Sequence, residues 1–201
     1  MQTNTASRDG RHLRSQQSRQ RIIDAMIGLV YEGVREPTAE QVSARARLAL
    51  RTVFRHFKDM ESLYREISRR MHLKAQAIVG SEIQGESWQD TLHNLIERRV
   101  RLYEEMLPMR LAADALRHRS AFLQEDHARF VATARQVLRE VLPASVARRK
   151  VLFEALDALL SYELWIRLRR DQRLSARQAR AAVNESVEAM VADHCRGMGT
   201  R

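Results

Sequence analysis

The sequence predicts an all-α protein, and three observations lead to that prediction. Only three prolines interrupt the 201 residues, and apolar residues recur at helical spacing in the intervals between them. Strand-type alternation is absent, and no Asn-Gly or Asp-Gly hairpin signal lies between apolar runs. The clearest helical stripe near the N-terminus consists of Ile22, Ile23, Met26, Leu29 and Val30.

Taken in order, the elements amount to about nine helices. Residues 1–14 are polar and aperiodic, which predicts a disordered arm. Two capping boxes, Thr38 with Gln41 and Ser175 with Gln178, mark helix starts, and Asp59 is placed to cap another helix. The predicted helices lie at about 15–33 (starting at residue 15 or 18), 38–46, 50–56, from 59 onward, 87–106, just after 108, 120–142, 145–169 and 175–194.

The charge balance indicates a polyanionic partner. The formal net charge is +10, and residues 1–58 hold eleven basic against five acidic residues, a difference of +6.

Cys195 is the sole cysteine, so neither an internal disulfide nor a cysteine-based zinc site can form. The N-terminus lacks the apolar segment of a signal peptide, and no apolar run is long enough to span a bilayer. We therefore expect a cytoplasmic protein without membrane contact.

The short second and third helices, joined by a tight turn and supported by the first, have the outline of a helix-turn-helix. Leu48, Val53 and Phe57 can face inward against the first helix. An α-helix fits the DNA major groove, where arginine can reach guanine edges and threonine or leucine can meet a thymine methyl. The outward face of the third helix would then consist of Leu50, Arg51, Thr52, Phe54, Arg55 and His56.

At these residues the chain resembles the tetracycline-repressor-like (TetR) family of bacterial transcriptional regulators. The resemblance covers residues 19–64 and rests on the segment PTAEQVSARARLALRTVFRHFKDMESLY. The rest of the chain agrees with the family in length and helix number only. The positions that match the family pattern are Thr38, Val42, Ala46, Leu48, Thr52, Val53, Phe54, His56, Phe57, Asp59, Glu61 and Leu63.

Four positions depart from the family pattern. Arg47 replaces the usual turn glycine, where the backbone can require a positive φ, at a cost on the order of 1 kcal/mol. Ala49 replaces a serine cap, and Phe54 lacks the hydroxyl of the usual tyrosine. Met60 replaces a lysine that contacts phosphate, a role that neighbouring Lys58 can take. These departures change the expected DNA contacts but leave the module recognisable.

The resemblance implies a ligand-responsive DNA-binding regulator, expected to be a repressor, that binds a palindromic operator in double-stranded DNA as a homodimer. Arg51 and Arg55 are the expected base readers, while Thr38, His56 and Lys58 are expected on phosphates. A buried or capping role stays open for His56, and packing in the core or on sugars for Phe54. The arginines of the arm, at positions 8, 11 and 14, could enter a minor groove or belong to a frayed tail. The full DNA-binding set is Thr38, Arg47, Leu50, Arg51, Thr52, Phe54, Arg55, His56 and Lys58.

The body of the chain, residues 61–201, is expected to hold an effector pocket and a dimer face, behind a DNA-binding domain at 15–60. The resemblance places a pocket for a small molecule of unknown identity among Met71, His93, Ile96, Tyr103, Met106, Met109, Phe122, Phe130 and Trp165. It places a dimer interface on Leu152, Leu156, Leu159, Ala179, Val183, Val187 and Met190. Plain core packing is the alternative for both sets.

Three other functions are alternatives to this one. A helical-bundle enzyme would need paired Glu-x-x-His motifs, a phosphate loop or a nucleophile motif, and none is present, so no catalytic residue, metal or cofactor is expected. A membrane-surface adaptor would have no use for the run from Thr52 to Phe57. A regulator or adaptor of this fold with weakened or lost DNA binding stays open because of Ala49, Phe54 and Met60.

Overall fold

In the computed structural model, described here for residues 4–80 and 82–198 (side chains for 10, 12–80 and 82–192), the chain is all-α. Its helices are α1 (Asn4–Tyr31), α2 (Ala39–Ala46), α3 (Leu50–His56), α4 (Met60–Val79), α5 (Trp88–Leu116), α6 (Ala121–Val141), α7 (Ala144–Ala147), α8 (Lys150–Leu159), α9 (Tyr162–Ile166) and α10 (Ala176–Met198). A 3-10 turn follows α5, and a π-helical segment continues α9. No strand occurs in the described ranges, which confirms the predicted fold class.

The chain divides into two compact units. The first unit comprises Met1–Lys74 and Pro108–Asp126, and the second unit comprises Ala75–Leu107 and His127–Arg201. The first unit is therefore larger than the domain predicted at residues 15–60, because it includes most of α4 and the segment where α5 ends and α6 begins. Helices α4, α5 and α6 each contribute residues to both units.

Helix α1 begins earlier than predicted. The arm expected to be disordered is helical from Asn4 onward, while residues 1–3 lie outside the described part. Residues 12–17 are exposed, so local interactions rather than burial hold this end. Arg14 Nε donates to the Gly10 carbonyl at 3.0 Å, and the side chains of His12 and Gln16 lie 2.9 Å apart, one turn from each other. The side chains of the arginines at positions 8 and 11 are outside the described part.

Two helix predictions for the body were wrong: one break does not occur, and one helix is divided. Helix α5 continues through Pro108 to Leu116 instead of ending near residue 106. An internal proline costs a helix about 3 kcal/mol, and the burial of the flanking Met106 and Met109 offsets that cost. Conversely, the helix predicted at 145–169 is divided into α7, α8 and α9. Ser161 starts α9 anew, because its hydroxyl accepts a hydrogen bond from Leu164 N at 3.2 Å.

Each unit has its own apolar core. In the first unit α1, α2, α3 and α4 meet through Ile22, Met26, Val42, Val53, Leu63 and Ile67, all at most 2% exposed. In the second unit a core joins α5, α6, α8, α9 and α10, with Leu138, Leu156, Tyr162, Trp165 and Ala179 at most 2% exposed. Of the helices in the described ranges, none combines the length and apolarity needed to cross a membrane.

Candidate nucleic-acid interface

The turn between α2 and α3 is held in a left-handed conformation. Arg47 ends α2 with φ 51° and ψ 49°, which confirms that this position requires a positive φ. Its N–H donates to the Ala44 carbonyl at 3.1 Å, and Leu48 N donates to the Ser43 carbonyl at 3.0 Å. These two bonds close the end of α2 in the way that glycine usually does. An arginine retains this conformation at a cost of about 1–2 kcal/mol.

A second arginine, which the sequence reasoning missed, supports the turn from outside. Arg21 of α1 donates to the Ala46 carbonyl and, at 3.2 Å, to the Arg47 carbonyl. A charged donor thus satisfies carbonyls that the end of α2 leaves without helical partners. The partners are main-chain oxygens, so no residue pattern in the sequence points to this bond.

Helix α3 separates a buried side from an exposed side. Val53 and Phe57 are 1% and 4% exposed and anchor the helix in the first unit, as predicted. Arg51 and Arg55 are exposed, and Phe54 is 48% exposed, so Phe54 does not pack in the core. The remaining members of the predicted outward set are half-buried, and they are Leu50, Thr52 and His56. Leu48, predicted to face inward, is also half-buried.

The two ends of the helix-turn-helix are capped as their sequences predict. Thr38 Oγ1 accepts from Gln41 N at 3.3 Å, and Gln41 Oε1 accepts from Thr38 N at 2.9 Å, which confirms the capping box. Ala49 precedes α3 without any side-chain cap bond. Asp59 Oδ1 accepts from Ser62 N at 2.7 Å and so starts α4 directly behind the exposed Lys58.

Most cations of the first unit are held by partners within it. Arg19 Nη2 lies 2.8 Å from Glu66 Oε2, and its guanidinium stands 4.6 Å above the Phe57 ring. Arg70 Nη1 lies 2.5 Å from Asp24 Oδ1. Other arginines of this unit, Arg45 with Glu32 and Arg65 with Glu61, also form ion pairs. Apart from the Arg65–Glu61 pair, which lies within α4, these ion pairs join α1 or the residue after it to α2 and α4.

The guanidinium of Arg45 lies close to Gly28 of α1. A Cβ at Gly28 would lie 2.6 Å from the Arg45 Nη2 atom, so a larger residue there would displace the end of the Arg45 side chain. The hydrogen bond from Arg45 holds the pKa of Glu32 below its usual value, against a smaller opposing effect of burial.

Four cations around α3 behave differently. Arg47, Arg51, Arg55 and Lys58 are all exposed, and in the described part of the chain their side chains have no ion pair or hydrogen bond. We call these four residues the free cation set. They lie within twelve consecutive positions on and beside one short helix, so they form a concentrated positive surface that can bind phosphates and base edges.

His56 lies under this surface. Its Nε2 atom is buried and has no partner among the described residues. Burial, followed by the charges of Arg55 and Arg19, lowers the pKa of the imidazole below its usual 6.5. The ring is therefore neutral at pH 7, which favours the buried role that the sequence left open over a charged contact with phosphate.

The predicted effector residues are distributed over both units. Met71, Met109 and Phe122 belong to the first unit, where the Arg65 guanidinium stands 4.3 Å above the Phe122 ring. Ile96, Tyr103, Met106, Phe130 and Trp165 belong to the second unit. His93 is exposed, and its neighbour Leu92 is the buried residue instead.

In the second unit the rings of Tyr103, Phe130 and Tyr162 form a cluster, with centroids 5.6–6.3 Å apart. Arg99, which is 6% exposed, donates to the Leu160 carbonyl at 2.8 Å and to the Ala134 carbonyl at 2.6 Å beside this cluster. Tyr103 Oη donates to the same Leu160 carbonyl at 2.9 Å. Tyr103 and Arg99 thus hydrogen-bond to the main chain at the α8–α9 junction, and Arg99 also hydrogen-bonds to the main chain of α6.

The predicted dimer face is mostly the core of the chain itself. Leu156, Ala179, Val183 and Val187 are at most 4% exposed within the second unit, so they are not a free surface. The other members, Leu152, Leu159 and Met190, are partly buried against the same core. Helical periodicity finds an apolar stripe but does not identify what the stripe packs against.

No protein-family model matches this chain, and the comparison with curated proteins also finds no match.

Proposed function

We propose that the protein is a transcriptional regulator, expected to be a repressor, that binds double-stranded DNA through α3. One observation carries the proposal, namely the free cation set on a helix whose opposite side is buried. The resemblance of residues 19–64 to TetR-like regulators adds support, because the match concerns the same positions. In this arrangement Arg51 and Arg55 read base edges, while Arg47 and Lys58 contact phosphates.

A homodimer in the cytoplasm, responding to a small molecule, completes the proposal. One short helix contacts few base pairs, so two copies at major-groove spacing are needed for a specific site. The support for a dimer surface moves to the outward sides of α8 and α10, where Val151 is 85% exposed and Ala181 and Ala189 are exposed. The aromatic cluster of the second unit is the best support for an effector site. An effector acts only if it binds the DNA-incompetent state more tightly.

Selection of tight-binding duplexes from a random pool tests the DNA-binding proposal directly. We expect recovered sites with two-fold symmetry. With a selected site, Arg51→Ala should weaken binding by about 1–3 kcal/mol and relax the preference at one base pair. Lys58→Ala should weaken all duplexes alike and reduce the salt slope by roughly one unit.

Three outcomes would contradict parts of the proposal. Equal losses on every duplex for both variants would contradict the division between base reading and phosphate contact. Recovered sites without symmetry would contradict the dimer. Failure of the wild-type protein to bind any duplex would favour the alternative function, a helical regulator or adaptor that has lost DNA contact.

A further inference from the structure

The net positive charge outside the first 58 residues comes from one short segment of the second unit. Residues 167–180 contain six arginines and one aspartate, a difference of +5, whereas the rest of the chain beyond residue 58 has eighteen basic and nineteen acidic residues. The net charge of the protein therefore comes from two surfaces. Only one of them is on the helix-turn-helix.

This segment comprises a tightly closed turn after α9 and the beginning of α10. The π-helical stretch Arg167–Asp171 follows α9 directly. Gln172 N donates to the Arg167 carbonyl and Leu174 N to the Leu168 carbonyl, both at 3.0 Å. These bonds fold residues 172–174 back onto the preceding turn. The backbone of the segment is therefore ordered by its own hydrogen bonds.

One arginine anchors the turn to the unit. Arg169 Nε lies 2.8 Å from Glu104 Oε1, and its Nη1 donates to the Leu174 carbonyl. Trp165 Nε1 donates to the same Glu104 oxygen at 2.8 Å. Arg180 is likewise paired, 3.1 Å from Glu97. The segment thus uses two of its six arginines for its own structure.

The other four arginines are available to bind a partner. Arg167, Arg170, Arg173 and Arg177 are exposed, and their side chains have no ion pair or hydrogen bond in the described ranges. Arg173 also has φ 55°, a left-handed conformation that costs an arginine about 1–2 kcal/mol. Strained backbone and π-helical turns both occur preferentially at functional sites. We call these four residues the arginine turn.

We propose that the arginine turn is a second surface for the phosphate backbone of duplex DNA. Guanidinium groups match phosphate oxygens with two parallel hydrogen bonds. Among the described residues no large apolar side chain is exposed between positions 160 and 180, whereas a membrane surface requires an apolar face and single strands require aromatic platforms. The choice of DNA over an acidic protein rests on the proposed function, because DNA bound by the first unit is concentrated around the second unit.

The test compares two double variants of the full-length protein with equal change in charge. Arg167→Gln with Arg170→Gln removes half of the arginine turn, and Arg148→Gln with Lys150→Gln removes two exposed cations elsewhere in the second unit. Affinity for a duplex is measured by fluorescence anisotropy over a range of salt concentrations. Each lost phosphate contact reduces the slope of log K against log salt by about 0.9, so the first variant should lose roughly 2 and the second should match wild type.

A third variant avoids the risk of misfolding. Arg173→Gly removes one cation and relieves the left-handed strain, so it should fold at least as well as wild type while reducing the slope by about 1. Two duplexes locate the contact: one just long enough for the selected site, and one with long flanks. A slope change with both duplexes places the contact next to the site, and a change only with the flanked duplex places it on flanking or separate DNA.

Two outcomes separate the failure of this inference from the failure of the proposed function. If wild type binds duplexes and Arg51→Ala weakens it, but the arginine-turn variants keep the wild-type slope, the second surface is refuted and the first stands. If wild type binds no duplex, both proposals fail. A third outcome would identify an acidic protein, and not DNA, as the partner. In that case wild type binds poly-glutamate, Arg167→Gln with Arg170→Gln abolishes this binding, and the DNA slope stays unchanged.

Discussion

The outward side of α3 and the apolar stripe of α8 and α10 were both predicted to meet a partner, but only α3 presents its predicted side to solvent. Arg51 and Arg55 are exposed, whereas Leu156 and Val183 are buried in the second unit. The difference lies in the cost of burial. A cation without a partner is expensive to bury, so it marks a surface, while an apolar residue gains equally from its own chain and from another.

The described cations of the first unit also divide into two groups, one with partners inside the unit and one without. Arg21, Arg45 and Arg19 of the first unit hold helices and turns together, whereas the free cation set remains available. The two groups are indistinguishable by residue type, and both lie in the basic first 58 residues. Charge density therefore locates a surface, and the tertiary structure decides which members can reach DNA.

Leu156→Ala is the strongest test of the difference between the outward side of α3 and the buried stripe of α8 and α10. Because Leu156 is fully buried, the substitution should lower the free energy of unfolding by about 2–5 kcal/mol. Leu73→Ala in α4 is the matched control, since it is the same substitution at a residue that is 66% exposed and should change stability by less than about 0.5 kcal/mol. Urea denaturation measures both. A dimer that dissociates into stable folded monomers in Leu156→Ala would restore the predicted interface.

Removing the support of the turn should have the next largest effect. Arg21→Ala leaves the carbonyls of Ala46 and Arg47 without their donor, which should cost about 1–3 kcal/mol. DNA affinity should fall as well, although Arg21 itself is not in the free cation set. Lysine at this position is the control, because it retains the charge but not the planar fork. Unchanged stability in Arg21→Ala would show that the turn is stable without the hydrogen bonds from Arg21.

Arg47→Gly should change stability and DNA affinity in opposite directions. Glycine relieves the left-handed strain and should stabilise the fold by about 1 kcal/mol, while the lost cation should weaken binding to all duplexes. Arg47→Ala keeps the strain and loses the charge, so it separates the two effects. Equal DNA affinity in wild type and Arg47→Gly would remove Arg47 from the interface.

The smallest expected effect concerns His56 and pH. The pKa of the imidazole is lowered in the folded protein, so below pH 6.5 the unfolded chain binds a proton that the folded protein does not, and stability falls as the pH falls. His56→Gln should lose this part of the pH dependence between pH 7 and 5. Chemical denaturation of both proteins over that range measures the difference. Parallel curves would show that the imidazole titrates normally.

Local features of this protein were predictable because their causes lie within a few residues. The capping boxes at Thr38 and Ser175, the cap at Asp59 and the buried side of α3 follow from hydrogen bonds and periodicity along one stretch of chain. The left-handed Arg47 was expected because the family that residues 19–64 resemble usually has a glycine at this position. The helical start of α1 was missed because residues 4–14 are polar and include weak helix formers such as Asn4, Asp9 and Gly10, so neither composition nor propensity predicts a helix there.

By itself the sequence determined that the chain is helical, where α2, α3 and α4 begin, and that the first 58 residues are strongly basic. Only the tertiary structure decided that α5 passes through Pro108, that the stripe of α8 and α10 is core, and which arginines stay free. Helix starts and charge are properties of neighbouring residues. Folding brings a buried partner or a main-chain acceptor close from a distant part of the chain. The spacing of apolar residues along the sequence does not reveal such a contact.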